Sequence, residues 1–285
     1  MFFHIKELQY QAKPERPDPV YAKRLQEVLG GQFGEITVAL QYLFQGWNTR
    51  GDGKYRDLLF DTGTEEIAHV EMLATMIARL LDHSPKEQEA AVASNPVLAA
   101  VIGGMNPQHA IVAGLGAMPA DAMGYPWNAK YIIASGNLLA DFRANLNAES
   151  QGRLQVARLY EMTSDRGVRD MLSFLIARDR MHQNQWAAAI AELEAKEGFT
   201  VPTTFPRECE KQEVSYTLFN FSRGNESAEG RWAKGPSVDG QGQFNYVQHP
   251  HPFGPAPRLA PAPPYVFNTP PDVLRNQGPF MPPIV

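Results

Sequence analysis

Residues 64–73 read TEEIAHVEML, and the fold turns on where Glu66 and His69 point. On a helix these two lie about a turn apart on one face. The same face continues through Met72, Leu73, Met76, Ile77 and Leu80 at spacings of three and four, the period of an amphipathic helix. A carboxylate and an imidazole therefore point where a core should be. The pattern runs back through Thr62, Leu59 and Leu58 and predicts a helix over 54–81. Before it, NTRGDG (48–53) breaks the chain. Further upstream, Asp18 and Pro19 supply an N-cap and a first helical residue. The apolar series Leu25, Val28, Leu29, Ile36, Leu40, Leu43, Phe44 and Trp47 then predicts one helix over 19–47. The two helices form an antiparallel hairpin.

Residues 83–128 are rich in Gly, Pro and Ala and hold apolar clusters without a period. That is too long for a hairpin turn and too apolar for a free linker, so it reads as a packed crossover. A third helix is predicted over 129–161, with Leu138, Leu139, Phe142, Leu146, Glu149, Val156 and Leu159 inward. MTSDRG (162–167) stops it, and a fourth over 168–196 carries Met171, Leu175, Asp179, His182, Trp186, Ala189 and Leu193 on one stripe. Two hairpins joined by one long crossover give an all-α, ferritin-like four-helix bundle. The bundle is expected over 1–198. Beyond residue 198, where 15 of the 23 prolines lie, helical periodicity ends. Residues 199–285 read as an extended, Pro-rich C-terminal arm whose Phe253, Leu259, Tyr265, Val266 and Phe267 call for docking on the bundle or on neighbouring subunits.

A net charge of −5 with no basic stripe argues against a nucleic-acid partner. The most apolar later segment, 97–118, is interrupted by Asn106, Pro107, Gln108 and His109, which argues against a membrane span. The opening MFFHIKELQY lacks the pattern of a signal peptide. Cys209, the single cysteine, permits no intrachain disulfide, and a cytoplasmic protein with a small, uncharged substrate or a protein partner is expected.

Residues equally far from a hairpin turn sit at the same depth. Glu35 and Glu66 average to position 50.5, the centre of NTRGDG. Glu149 averages to 164 with Asp179 and to 165.5 with His182, bracketing the centre of MTSDRG at 164.5. Each lies about 15 positions, or roughly 20 Å, from its turn. Taken singly, an inward Glu pairs with an Arg and a lone inward His is a satisfied core residue. Together these groups do not fit that account, because burying so many carboxylates at one level without cations is costly or drives their pKa values up. A metal pair resolves the problem. A Glu from each of two helices with Glu-x-x-His from each of the other two is the pattern of di-iron and di-manganese bundles. Asp179 departs from it, being shorter than Glu by one methylene, about 1.5 Å. It is read as bonding a bound solvent or ligand, which leaves Glu35, Glu66, His69, Glu149 and His182 as metal ligands.

These residues stand within GGQFGEITVALQYLFQGWN, TGTEEIAHVEML, NLNAESQGR and SFLIARDRMHQNQW. With MFFHIKELQY and the late FNFSRGNES, they make a chain that resembles the manganese catalases over nearly its whole length. The resemblance implies two Mn ions per subunit on those five ligands, with Glu66 as the carboxylate bridge. It implies disproportionation of hydrogen peroxide to O2 and water, the pair cycling between Mn(II)2 and Mn(III)2, in a homohexamer. Glu66, Asp179 and Tyr42 are the residues expected to take part in catalysis. A calcium ion on Asp57, Asp61, Asn220 and Ser222 is also implied. Some members have a basic residue where this chain has Ala148, and some have Glu in place of Asp179; both departures bear on substrate access and proton relay. Two rivals stand beside this reading. One is a di-iron oxidase or ferroxidase, since ligand type alone does not separate Mn from Fe; the other is a structural, spore-coat-like protein on the same bundle.

Overall fold

The computed structural model describes residues 3–83, 111–260 and 263. Most of the expected crossover, 84–110, and the arm residues Tyr265, Val266 and Phe267 lie outside the described residues. The chain divides into two compact units, Met1–Thr204 and Phe205–Val285.

In the first unit the described helices are α1 (Pro19–Gly30), α2 (Glu35–Asn48), α3 (Gly53–Leu80), α4 (Leu138–Glu161) and α5 (Arg166–Glu197). The pairs α2–α3 and α4–α5 are the two hairpins of a four-helix bundle. The single helix predicted over 19–47 is instead two, because the chain breaks at 31–34. Gln26, buried on α1, explains the break: its Nε2 donates to the carbonyls of Met118 and Ala120, and its Oε1 accepts from Met118 N. That brings crossover backbone against the helix end, where a Cβ on Gly30 would stand 2.5 Å from Ala120 O. Only glycine fits there. The chain restarts with Glu35 as the first residue of α2, at the positive end of the helix dipole, where a carboxylate is favoured.

The third helix also differs from expectation, beginning at Leu138 instead of near 129. Asn137 Oδ1 accepts from Ala140 N at 3.0 Å as the N-cap, and Gly136 takes φ +83°, a left-handed conformation suited to glycine. Ala129–Tyr131 forms only a 3-10 turn.

The two hairpin turns lie at opposite ends of the bundle. At one end, a Cβ on Gly51 would stand 3.1 Å from Leu138 Cδ1, and Lys196 Nζ donates to Asp52 at 2.7 Å. At the other, Asp18 N donates to Leu80 O and Tyr21 OH to Leu159 O. The link from α3 to α4 must therefore return along the 28 residues of α3, about 40 Å, which is why no short loop suffices. Two apolar clusters fill the interior. One gathers Leu25, Met72, Met76, Ile77, Val168 and Leu175; the other gathers Tyr42, Leu59, Phe142, Trp186 and Leu193.

In the second unit, part of the expected extended arm is a small sheet of β1 (Thr217–Phe219), β2 (Gly235–Pro236) and β3 (Gln243–Val247). Its order is β1-β3-β2, with β1 parallel and β2 antiparallel to β3. Among the described residues no helix is long and apolar enough to cross a membrane.

Candidate metal centre

Glu35, Glu66, His69, Glu149, Asp179 and His182 are all buried, each less than a tenth exposed. Glu66 is central. Its Oε2 lies 2.6 Å from His69 Nδ1 and its Oε1 2.7 Å from His182 Nδ1. Glu35 Oε2 stands 3.8 Å from the first nitrogen and Glu149 Oε1 3.5 Å from the second. Two groups able to hold a metal ion result, Glu35–Glu66–His69 and Glu66–Glu149–His182, each with its ligand atoms within 4.8 Å of one another. Glu66 belongs to both. The imidazoles lie 5.9 Å apart, tilted by 26°.

The electrostatics show what this convergence costs. Burial, and then the charge of Glu66, drive the Glu35 carboxyl well above its ordinary range and raise that of Glu149. Asp179 is also driven well above, by burial and then by Glu149 and Glu66. For Glu66 burial acts upward too, but His69 and His182 outweigh it and hold the carboxyl low. In return Glu66, against the opposing effect of burial, pushes His182 up to about 12 and His69 well above the usual imidazole value. The carboxylates thus exceed the cations available to them.

The residues fit a cation pair. Glu66 Oε1 and His182 Nδ1 approach at 2.7 Å, yet neither has a hydrogen-bond partner among the described residues, and Asp179 Oδ2 is likewise buried without one there. Buried polar atoms left without hydrogen-bond partners are costly in a protein interior, and a cation held among them would satisfy them. Carboxylate oxygens with imidazole nitrogens suit manganese or iron.

Tyr42 is fully buried and its hydroxyl donates to Glu149 Oε1 at 2.5 Å. Burial, then Glu149, raise its pKa far above the ordinary tyrosine value, so it remains a donor. Its ring packs on Trp186, centroids 5.0 Å apart. Asp179 and Ala148 border a cavity of about 10 Å³ together with Phe33, Glu35, Glu149 and Gly152, room for about one water. Of the residues expected to bind calcium, Asp57 and Asp61 are exposed a turn apart on α3. Asn220 and Ser222 belong to the second unit, where Asn220 Oδ1 accepts from Ser222 N and Oγ at 2.9 and 3.0 Å.

Sequence reasoning missed Glu65. Its Oε2 lies 3.2 Å from His182 Nε2 and its Oε1 3.7 Å from His69 Nε2. A neighbour of Glu66 is turned about 100° around the helix, so it falls off the inward stripe. The available signal was its spacing of four from His69. Also missed was a buried amide network in which Asn145 Oδ1 accepts from Gln41 and Gln45 at 2.8 and 2.9 Å, tying α2 to α4.

The chain matches a family model described as manganese-containing catalase over residues 1–278. It is 72% identical over 277 residues to the uncharacterised protein YjqC of Bacillus subtilis, covering 96% of this chain and all of that one. It is 65% identical over 269 residues to a manganese catalase of the same organism, covering 94% and 98%. Among solved structures, a manganese catalase from Anabaena superposes with a TM-score of 0.68 at 26% identity, covering 88% of this chain and all of that one. That match carries the same helical architecture to a much more distant sequence, while the family model spans both units described above. The fold, the buried carboxylate and imidazole layer and these relationships agree: the chain belongs to the manganese-containing catalase family.

Proposed function

We propose that this catalase disproportionates hydrogen peroxide at two manganese ions held by Glu35, Glu66, His69, Glu149 and His182, with Glu66 shared between them. The observation that carries this reading is the Glu66 carboxylate facing the Nδ1 atoms of both histidines, at 2.6 and 2.7 Å. When bound there, a manganese pair cycling between Mn(II)2 and Mn(III)2 would supply the redox chemistry, two electrons drawn from one peroxide and two returned to another, for O2 and two waters overall. The remaining tasks fall to the chain. Glu149 is oriented by the Tyr42 hydroxyl. Asp179, its carboxyl raised by burial and by Glu149, holds a proton at the cavity beside Glu149 and can give it up there. The small volume of that cavity leaves no room for a bulky substrate.

The family resemblance further supports a homohexamer in the cytoplasm, and exposed Phe3, Ile5 and Trp47 give apolar area for neighbouring copies. The resemblance also supports calcium binding through oxygen donors. Sedimentation and calcium titration measure these two points. For the activity, protein produced with manganese should evolve O2 from peroxide in cyanide that silences haem catalases. Elemental analysis should give two Mn, and little Fe, per subunit. A manganese-loaded sample without O2 evolution rejects the proposal.

A further inference from the structure

Each imidazole of the metal centre has two nitrogens, and the structure gives them different partners. The Nδ1 atoms face Glu66. Both Nε2 atoms face Glu65, which stands behind the two rings with one oxygen toward each: Oε2 at 3.2 Å from His182 on α5, and Oε1 at 3.7 Å from His69 on α3. His69 Nε2 is buried and makes no hydrogen bond in the described structure, so Glu65 is its nearest charged acceptor. Glu65 is itself held from the outer side. Arg178 grips it with a two-pronged fork, Nε to Oε1 at 2.6 Å and Nη2 to Oε2 at 3.1 Å. Gln9, from the segment before α1, donates to Oε1 at 2.8 Å.

We infer that Glu65, clamped by Arg178 and Gln9, is a positioning residue that fixes both histidines as Nδ1 ligands and sets the spacing of the metal pair. An imidazole that offers Nδ1 to a metal carries its proton on Nε2, and the acceptor that Nε2–H finds fixes tautomer and ring orientation. A carboxylate has two acceptor oxygens and so can serve two imidazoles at once. Here those imidazoles come from different helices, so one side chain couples the two halves of the centre. The Arg178 fork matches the carboxylate plane and keeps Glu65 from rotating away from either ring. An isolated surface ion pair would lack this arrangement, because Arg178 and Gln9 approach from the outside while the imidazoles occupy the inside.

This inference rests on the paired-manganese reading, and its test separates the two. In Glu65→Gln, the amide has one acceptor oxygen and one NH2 group, so it can accept from one imidazole while presenting a donor to the other. Full-length wild type, E65Q and R178Q are titrated with Mn(II) and followed by metal content and EPR, with the melting temperature of each metal-free protein recorded. Wild type is expected to show the exchange-coupled spectrum of a manganese pair. E65Q is expected to bind its second manganese 10- to 100-fold more weakly, the range typical for loss of an outer partner of a metal ligand, and to show the six-line spectrum of isolated Mn(II). A wild type that takes up no coupled pair overturns the metal reading. A normally loading wild type beside an E65Q weakened less than tenfold, or one that keeps the coupled spectrum, overturns the role of Glu65 alone. Should E65Q fail to fold, R178Q decides by the same threshold and the same spectrum.

Discussion

Replacing Tyr42 by Phe removes one oxygen atom from the interior and tests the reasoning about the layer directly. The Tyr42 ring is fully buried and packed on Trp186, so Phe keeps the packing and leaves no cavity worth counting. What is lost is the 2.5 Å bond donated to Glu149. In manganese-loaded protein Glu149 must be deprotonated to act as a ligand, and a hydrogen bond to a charged group has a net worth of roughly 1.5–3 kcal/mol. Domains of about 150–250 residues lose roughly 2–4 °C of Tm per kcal/mol, so Tyr42→Phe should lower the Tm of loaded protein by about 3–12 °C. Tyr55→Phe is the internal comparison. Tyr55 also donates to a carboxylate, Glu192, at 2.6 Å, but the Glu192 side chain is 53% exposed, so water readily replaces that bond and little stability is lost with it. Differential scanning fluorimetry on both variants decides the matter. A Tyr42→Phe shift no larger than that of Tyr55→Phe would refute the claim that this hydroxyl supports a charged ligand.

Manganese uptake should release protons. Glu35, Glu149 and Asp179 are raised above the ordinary carboxyl value, by burial first; His69 and His182 are raised, the charge of Glu66 outweighing burial. Groups raised in this way stabilise the folded metal-free chain fully below their unfolded values, near pH 4.5 for Glu and 6.5 for His, and the contribution is lost as pH rises through the folded values. Metal-free Tm should accordingly fall from pH 6 to 8 while apparent Mn affinity rises; calorimetry in buffers of different ionisation enthalpy counts the protons, and uptake instead of release would contradict the assignment. Gly30→Ala should destabilise by about 1–3 kcal/mol, as overpacking does, because the new Cβ meets Ala120 O at 2.5 Å; an unchanged denaturation midpoint would show that the crossover does not press on α1. Trp186→Ala, emptying a fully buried site beneath Tyr42, should cost about 3–5 kcal/mol in urea denaturation, and a loss below 1 kcal/mol would mean that this cluster does not support the bundle.

Periodicity makes the helices legible because each buries a continuous stripe, and the 3.6-residue repeat of α3 from Leu59 to Leu80 is the clearest case. The break at 31–34 is not legible in the same way. Ile36 and Leu40 continue the stripe of Leu25 and Leu29, and what interrupts it is the backbone around Ala120, about 90 residues away in sequence. Local pattern carries no record of such a contact. The same distinction divides the site. Glu35, Glu66, His69, Glu149, Asp179 and His182 stand out because charge on an apolar stripe demands an explanation. Glu65 and Arg178 lie off the stripes, where a sequence gives every charged residue the same appearance of a solvated face, and only the packing of α3 against α5 brings them to the imidazoles. The short sheet of the second unit escaped for a further reason: its strands have two to five residues, too few for alternation to register.

That the layer forms at all follows from where the two hairpins turn. One turn is at the end of the bundle where α4 begins, the other where α3 ends. Measured from their own turns, the candidate ligand positions of the two hairpins therefore approach from opposite directions and coincide only near mid-bundle. A centre close to either end would need unequal offsets in the two hairpins; equal offsets of about half a helix place it as far from both ends as the fold permits. Mid-bundle is also where the two apolar clusters adjoin the layer, with Met72, Leu73 and Leu175 on one side and Tyr42, Phe142 and Trp186 on the other. Low polarity on both sides strengthens every charge interaction between them. The arrangement that makes the carboxylates costly to hold without a cation is thus one suited to holding metal, and the long crossover is what allows opposed turns to bring four helices to that single level.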